Sequence, residues 1–223
     1  MATFVVRVWL PDRPGALGAV ASRIGAVRGD LIGIDILERG AGRAIDELIV
    51  ELPSRDLVSL LIEEMSQVDG VDVEDVRPVT DGQPDPRVDA LESAAVLVEK
   101  TTLEALLQAL CERASHDFEA DWSAVIDERP VGDEPLACVG HPPAAAWLAA
   151  LVAGGSASSS VASGETGPED VAWALLPSAG LAVVLGRRGR PLRARERQQL
   201  AALTRIADHR HAEVTRHTVL GAN

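Results

Sequence analysis

The sequence predicts an α+β protein of two domains, and three observations lead to this prediction. Short β-branched runs alternate with helical periodicities in the first 80 residues. A segment rich in Pro, Gly and Asp, residues 80–90, then interrupts the apolar pattern. After it, strand-like and helix-like segments follow in a different order. We therefore expect a first domain in residues 1–80, a linker in residues 81–90 and a second domain in residues 91–223.

The first domain begins with a strand at residues 4–10, where apolar side chains alternate with others. Pro11 and Pro14 end this strand, and Gly29 follows the helix that comes next. The helix is predicted from apolar residues at helical intervals: Leu17, Val20, Ile24 and Val27.

The remaining elements of this domain are a hairpin, a helix and a strand. Residues 31–38 and 44–52 are two strand-like runs joined by the turn sequence RGAGR at 39–43. An apolar stripe in residues 57–68 predicts the second helix, and residues 71–79 a fourth strand. The order β-α-β-β-α-β predicts a ferredoxin-like domain, in which both helices cover one face of a four-stranded antiparallel sheet.

The second domain is predicted as a mixed α/β unit. It opens with a long helical stretch, residues 89–116, interrupted near residues 100–102. The later elements are strands at 122–127 and 136–140, a helix at 144–152, a Ser/Gly-rich loop at 154–170, strands at 171–176 and 181–185, and a helix at 191–217.

Composition and charge narrow the possible functions. With 223 residues, 47% of them hydrophobic, the chain can bury a substantial core, which excludes a disordered protein. Its 34 acidic and 21 basic residues give a net charge of −13, which repels phosphate backbones and anionic lipids. We therefore expect no nucleic-acid or membrane partner. The N-terminus has no signal-peptide pattern, so a cytoplasmic location is expected.

The loop between the first strand and the first helix has the chemistry of an anion site. Residues 10–18, LPDRPGALG, should direct unpaired backbone N–H groups of the helix start at a carboxylate. Gly15 allows close approach to the backbone, and Asp30, at the start of the next strand, offers a partner for an ammonium group. Together they would match an amino acid. The alternative is an ordinary helix start with Asp12 as its N-cap.

The first domain resembles the ACT domain, an amino-acid-binding regulatory module. The resemblance rests on the element order, the D-R-P-G-x-L segment beginning at Asp12 and the G-D-L-I-G-I start of the second strand, and it covers residues 3–79. It implies a homodimer that binds an effector amino acid between the loop of one subunit and the second strand of the other. The ligand-binding residues that it implies are Asp12, Arg13, Gly15, Ala16, Asp30 and Ile32. Serine-binding members carry asparagines in place of the two aspartates, so the amino acid is not identified.

The second domain resembles, more weakly, a GAF-like sensory domain. The resemblance rests on the segments DWSAVID at 121–127, VAWALL at 171–176 and LAVVLGRR at 181–188, and on the closing helix. It implies a module that binds a small molecule under a long loop or that dimerises.

Other residue groups suggest further roles. His209, His211 and His217 cluster near the C-terminus, but two of them lie two residues apart and would not share a helix face, so no metal site is expected. The six arginines in residues 187–197 form a basic patch for an acidic partner or for the first domain, or an exposed helix face. Cys111 and Cys138 are predicted to be buried thiols.

The sequence contains no catalytic triad, P-loop or dinucleotide-binding motif, and we expect no enzymatic activity and no cofactor. The predicted function is that of a regulatory protein that binds an amino acid in its first domain, dimerises, and acts on a downstream protein that the sequence does not identify. The alternative is a dimeric scaffold or interaction protein with no bound ligand.

Overall fold

The computed structural model of the chain describes residues 1–79, 86–129, 132–162 and 166–221. The chain divides into two compact units, Met1–Pro84 and Asp85–Asn223. The described strands form two four-stranded antiparallel sheets, so the predicted α+β class is confirmed. None of the helices within these ranges is long and apolar enough to cross a bilayer.

The first unit has the predicted ferredoxin-like order. Its sheet runs β2-β3-β1-β4, and every neighbouring pair is antiparallel. Both helices pack on one face of the sheet, where Val6, Leu48, Ile24 and Leu61 belong to a single apolar cluster. The elements are β1 (Ala2–Pro11), α1 (Ala16–Ala26), β2 (Asp30–Gly40), β3 (Arg43–Leu52), α2 (Val58–Ser66) and β4 (Asp72–Pro78).

The hairpin between β2 and β3 forms as predicted. Its two turn residues, Ala41 and Gly42, have φ values of 49° and 76°, the pair of positive angles that a tight type I′ turn requires. The register of β2 against β3 shifts twice, between Leu31 and Gly33 and again between Ile36 and Glu38. β2, which is the terminal strand of this sheet, therefore contains two bulges.

Both ends of α1 differ from the sequence prediction. The N-cap is Gly15 (φ 88°), with no side-chain hydrogen bond, so the alternative in which Asp12 caps the helix is wrong. At the other end, the helix stops at Ala26, and Arg28, not the glycine that follows it, adopts a left-handed conformation (φ 60°). Gly29 packs closely, because a Cβ there would lie 3.0 Å from the Ile24 side chain, which would have to move by a few tenths of an ångström.

The second unit is a sheet of order β6-β5-β8-β7 between two layers of helices. One face packs on α3, α4 and α7, and the other packs on α5. The elements are α3 (Pro86–Val98), α4 (Leu103–Asp117), β5 (Trp122–Asp127), β6 (Ala137–Val139), α5 (Ala145–Ser156), α6 (Ser159–Ala162), β7 (Val171–Leu176), β8 (Leu181–Gly186) and α7 (Ala194–Gly221).

Two predicted irregular segments contain helix. Residues 86–90 of the expected linker belong to α3, which begins at Pro86, a residue whose fixed φ suits a first helical turn; residues 80–85 lie outside the described residues. The expected loop at 154–170 likewise begins inside α5 and includes α6, and its residues 163–165 are not described. The predicted interruption between α3 and α4 is confirmed, and the Thr102 hydroxyl caps α4 by accepting from the Ala105 N–H.

The arginine-rich segment is largely internal and not the surface patch that was predicted. Arg187 is 4% exposed, and its Nη2 lies 2.6 Å from Glu196 Oε1. Its Nη1 donates to the Phe118 carbonyl at 2.7 Å, while Glu196 also accepts from the Arg193 N–H at 2.8 Å. A buried guanidinium must be paired, and these contacts provide the partners of Arg187. Because Glu196 lies in the first turn of α7, the same contacts hold the start of that helix in place.

One of the two cysteines predicted to be buried is exposed. Cys138 lies on the short terminal strand β6 and is exposed, whereas Cys111 is buried in α4. Trp147 is also exposed, to 53%, on α5. The neighbouring Leu148 occupies the buried face of that helix, so Trp147 points away from the core.

Candidate functional site

The β1–α1 loop is fastened to the β2–β3 hairpin. The Asp12 N–H donates to the Gly42 carbonyl at 2.9 Å. The Asp12 carboxylate accepts a hydrogen bond from Arg39 Nη2 at 2.5 Å. These contacts join residues far apart in the sequence, so only the folded chain reveals them. Asp12 therefore holds the loop in place and is already balanced by a cation.

The second feature of this loop is its set of backbone N–H groups. The Ala16 N–H is used in a turn, where it donates to the Arg13 carbonyl at 3.3 Å. Within the described part of the chain, no oxygen accepts from the N–H groups of Gly15, Leu17 or Gly18. They lie at the start of α1, where the helix dipole favours negative charge. The loop can therefore receive a carboxylate.

Gly15 is needed for this geometry. Its φ of 88° lies in the left-handed region, and no heavy atom lies within 4 Å of the position that a Cβ would occupy. The space beside the backbone is open. A ligand can therefore approach the Gly15 backbone on this side without displacing a side chain.

Arg13 and Ala16 are the other two loop residues predicted to bind the ligand, and they differ in exposure. The Arg13 side chain is 63% exposed, and its Nη2 lies 4.0 Å from Asp69 Oδ2, a loose pair in water. Ala16 is buried beneath the first turn of α1. Asp12, Arg13, Gly15 and Ala16 thus lie in one short segment at the start of α1.

Asp30 lies at the other end of the sheet from this loop. Along β3, Arg43 is opposite Pro11 at the loop end, whereas Glu51 is opposite Asp30. Those two β3 positions are eight residues apart, which corresponds to about 27 Å of strand. Asp30 and the loop of the same chain therefore cannot contact one small ligand.

Ile32 lies at the first bulge of β2. It lies between Leu31 and Gly33, where the register with β3 shifts, and it has no paired position there. An extra residue in a strand changes the direction of neighbouring side chains. Gly33 lies beside it, and a Cβ there would lie 2.8 Å from Ile49 Cδ1, so a larger residue would force the Ile49 side chain to shift. The sequence pattern did not reveal this irregularity.

Asp46 is a buried carboxylate that sequence reasoning missed. It lies opposite Val8 and Ile36 on β3, is 4% exposed, and its Oδ1 has no hydrogen-bond partner among the described residues. Burial raises its pKa, an effect that nearby Arg39 opposes. The sequence did contain a sign of this site. Asp46 lies on the same face of β3 as Leu48 and Val50, and that face is otherwise apolar.

Charged residues form a cluster on β1, β3 and β4. Arg7, 1% exposed, has its Nη2 2.8 Å from Glu47 Oε1, and Arg77 Nη1 lies 2.9 Å from the same oxygen. Burial raises the pKa of Glu47, but the two guanidinium groups outweigh it and leave the pKa below its usual value. Glu74 Oε1 accepts from the Trp9 indole N–H at 3.1 Å. Arg7 was missed because it lies within an apolar run.

Across the ranges that the structure describes, no group of three or more His, Cys, Asp and Glu side chains is arranged to hold a metal ion.

Comparisons with known proteins give matches among solved structures. No family model and no curated protein matches the chain. The ACT domain of a GTP pyrophosphokinase from Chlorobium tepidum matches with 16% identity and a TM-score of 0.29, covering 35% of this chain and 100% of that domain. An ACT domain protein from Streptococcus pneumoniae matches with 14% identity and a TM-score of 0.30, covering 34% of this chain and 89% of that one. Solved structures that resemble part of this chain thus include ACT domains.

Proposed function

We propose that this chain is a non-enzymatic regulatory protein that binds an amino acid at the β1–α1 loop of a homodimer. The observation that carries the proposal is the set of backbone N–H groups at Gly15, Leu17 and Gly18, beside the open space at Gly15. Those donors suit a carboxylate. The aspartates of the first unit supply candidates for the ammonium group.

The terminal position of β2 supports a dimer. Ile34 on this strand is 46% exposed, and a second copy can cover such an exposed apolar side chain at the end of a sheet. The two bulges and the charged residues of β2 restrict which strands can pair with it. A two-fold axis relates two such strands in antiparallel fashion, so that the start of one lies beside the end of the other. In this arrangement, Asp30 of a second copy lies near Gly40 of the first.

A composite site follows from this pairing. The Gly40 end of β2 carries Arg39, whose bond to Asp12 holds the β1–α1 loop. The ligand carboxylate binds the loop N–H groups, and Asp30 of the second copy binds the ammonium group. Asp12 acts as a positioning residue, because its charge is balanced by Arg39.

The second unit completes the proposal as the element that passes the signal on. We assign it a GAF-like sensory or dimerising role, in a cytoplasmic protein that acts on a downstream partner protein. The net charge of −13 supports a partner other than nucleic acid or an anionic membrane.

A thermal-shift screen of the intact protein against the twenty amino acids, with light scattering in parallel, tests the proposal. We expect one amino acid, or a few of similar chemistry, to raise the melting temperature of a dimer, because a ligand that binds only the folded state stabilises it. Asp30→Ala should abolish the shift and leave the dimer intact, and Gly15→Val should do the same by blocking backbone approach. Glu63→Ala, an exposed site on α2, is the matched control.

The outcomes separate the two functions. If Asp30→Ala binds the amino acid as tightly as the unmodified protein, the composite site is wrong. If no amino acid shifts the melting temperature of a stable dimer, the protein is the ligand-free scaffold and the regulatory proposal fails.

A further inference from the structure

Helix α3 of the second unit carries an apolar stripe on its outer side. The stripe consists of Val88, Leu91, Ala95 and Val98. All four are exposed, and the exposed fractions of the three larger side chains are 47%, 72% and 51% in chain order. The opposite side of the helix is apolar as well, and its Leu97 lies in the core of the unit. α3 therefore has one apolar side more than its own unit buries.

The spacing of this stripe is that of a coiled coil. Its four members follow one another at intervals of three, four and three residues, which is the alternation of a and d positions in a heptad repeat. Val88 and Ala95 then occupy a positions, and Leu91 and Val98 occupy d positions. A β-branched residue at a with leucine at d favours two parallel helices. Because both helices of such a pair present the same pattern, a second copy of α3 is a complementary partner.

The charges beside the stripe match a parallel pair of identical helices. Arg87 and Glu92 are exposed and occupy the flanking g and e positions. In a parallel pair, a g residue of one helix lies opposite the e residue five positions later in the other, so Arg87 of each copy faces Glu92 of the other. The stripe between them is uncharged, so two chains that each carry a net charge of −13 can approach there.

Buried polar contacts hold the inner side of α3 in place. The Ser93 side chain is fully buried, and its hydroxyl donates to Asp117 Oδ2 of α4 at 2.5 Å. The Ser93 Oγ also accepts from Arg113 Nε, again on α4, at 2.7 Å. The stripe thus belongs to a helix that is already formed and fixed within its unit. A preformed surface reduces the conformational entropy lost on pairing.

α3 alone is too short to hold two copies together. Its 13 residues provide two a and two d positions, whereas a coiled coil that forms by itself is typically sustained over about three or four heptads. A pair of α3 helices therefore adds to a dimer that is held elsewhere. The β2 pairing described above supplies that first contact, and it brings the second contact within reach by raising the local concentration of the two copies.

We propose that α3 pairs in parallel with α3 of a second copy of this chain, as a further contact within the homodimer. The apolar stripes of the two copies form the seam, and two Arg87–Glu92 contacts flank it. The inference rests on the homodimer of the proposed function. It does not depend on the amino acid, because α3 lies wholly within the second unit.

Disulfide trapping in the full chain tests this pairing. The background is Cys138→Ser, which removes the exposed native thiol, while Cys111 is buried. Val98→Cys places a thiol in the seam, where equal d positions of two parallel helices meet within the roughly 7 Å between Cα atoms that a disulfide allows. With oxidised glutathione, this variant should form a covalent dimer at least about tenfold faster than Ala90→Cys. Ala90 is the matched control, because it is exposed on α3 but lies outside the stripe.

A charge exchange tests the orientation of the pair. In the Val98→Cys protein, Arg87→Glu should slow the linking several-fold, because it places two carboxylates opposite each other in both flanking contacts. The further substitution Glu92→Arg should restore the rate, because it re-creates both contacts with their signs exchanged. Circular dichroism checks that each variant keeps its fold.

Two outcomes would overturn the proposal. The first is linking of Val98→Cys that is no faster than that of Ala90→Cys, which would leave the stripe to a different partner. The second is a charge exchange that fails to restore the rate, which would exclude the parallel arrangement.

Other outcomes separate this inference from the proposed function. Ile34→Lys in the Val98→Cys protein should slow the linking, because the two copies no longer meet through β2. If the linking is unchanged, the α3 pair stands and the β2 pairing is wrong. Rapid linking together with a thermal-shift screen in which no amino acid has an effect likewise supports the α3 pair and rejects the amino-acid site.

Discussion

Two arginines are among the most buried side chains of this protein. Arg7 is 1% exposed and Arg187 is 4% exposed, and each is paired with a carboxylate, Glu47 and Glu196 respectively. A guanidinium group keeps its charge at all ordinary pH values, so it enters a core only with partners. Removal of a single partner from a buried pair is costly because it leaves the other charge unpaired.

Two neighbouring residues of β3, Asp46 and Glu47, should respond to substitution with opposite signs. Burial raises the pKa of Asp46, so its ionised form costs stability at neutral pH, and that cost disappears as the pH falls below the unfolded value of about 3.9. Asp46→Asn should therefore stabilise the chain at pH 7, and less in acid.

The pKa of Glu47 is lowered, because Arg7 and Arg77 outweigh its burial. Its contribution to stability is complete above the unfolded pKa of about 4.3 and is lost as the pH falls through the folded value. Glu47→Gln should destabilise by about 2–3 kcal/mol at neutral pH. Urea unfolding of Asp46→Asn and Glu47→Gln at several pH values measures the two changes in the free energy of unfolding. If both substitutions stabilise, or both destabilise, at pH 7, the opposite roles given to Asp46 and Glu47 are wrong.

The two cysteines should differ in reactivity. Burial is the main reason that the pKa of Cys111 is raised to about 12, whereas Cys138 is exposed on β6. Iodoacetamide at mildly alkaline pH should therefore alkylate Cys138 alone, because the thiolate is the reacting species. Peptide mapping by mass spectrometry identifies the labelled residue, and denatured protein, labelled at both sites, is the control. Labelling of Cys111 in the native protein would refute this prediction.

At the scale of elements, local sequence patterns predicted whether a segment is helix, strand or turn better than they predicted where each helix or strand begins and ends. The RGAGR turn was recognised because two adjacent positive φ angles require small residues. The start of α1 was not, because a contact with Arg39 on another strand occupies Asp12 and leaves Gly15 as the cap. The bulge at Ile32 depends on the register with β3, which no local pattern contains.

Gly154 and Gly155 of α5 offer a matched pair of substitutions. A Cβ on Gly155 would lie 2.1 Å from the Trp173 ring, whereas one on Gly154 would meet nothing within 4 Å. Gly155→Ala should destabilise the second unit by about 1–3 kcal/mol through overpacking. Gly154→Ala should be neutral or stabilise by up to about 1 kcal/mol through helix propensity. Urea denaturation compares them, and similar effects of the two substitutions would exclude a packing role for Gly155.

At the scale of the whole molecule, the order of elements was predictable, and the side-chain networks were not. The first unit follows from hydrophobic periodicity, because each apolar stripe meets one face of the sheet. The buried Arg187 was interpreted as part of a surface patch, since a run of arginines gives no local sign that Glu196 will pair with one of them. Of the residues predicted for the site, those of the β1–α1 loop are neighbours in the sequence, whereas Asp30 lies at the other end of the sheet, a separation that the sequence does not show.

Ile34→Lys tests the dimer that this site requires. A charge on a terminal strand opposes pairing with another strand, so the variant should be monomeric and should no longer bind the amino acid. Trp147→Lys on α5, where the side chain is 53% exposed, is the control and should remain dimeric. Light scattering after gel filtration measures the mass. A dimer that survives Ile34→Lys would place the interface elsewhere.

The two bulges of β2 also limit how far strands can stack. A long apolar strand at the margin of a sheet can recruit copy after copy into a fibril, because a regular edge offers the same register to every newcomer. The shifts at Leu31/Gly33 and Ile36/Glu38 make this margin irregular. A newcomer must follow both irregularities to pair along the whole strand. The bulges thus oppose open-ended growth at this margin.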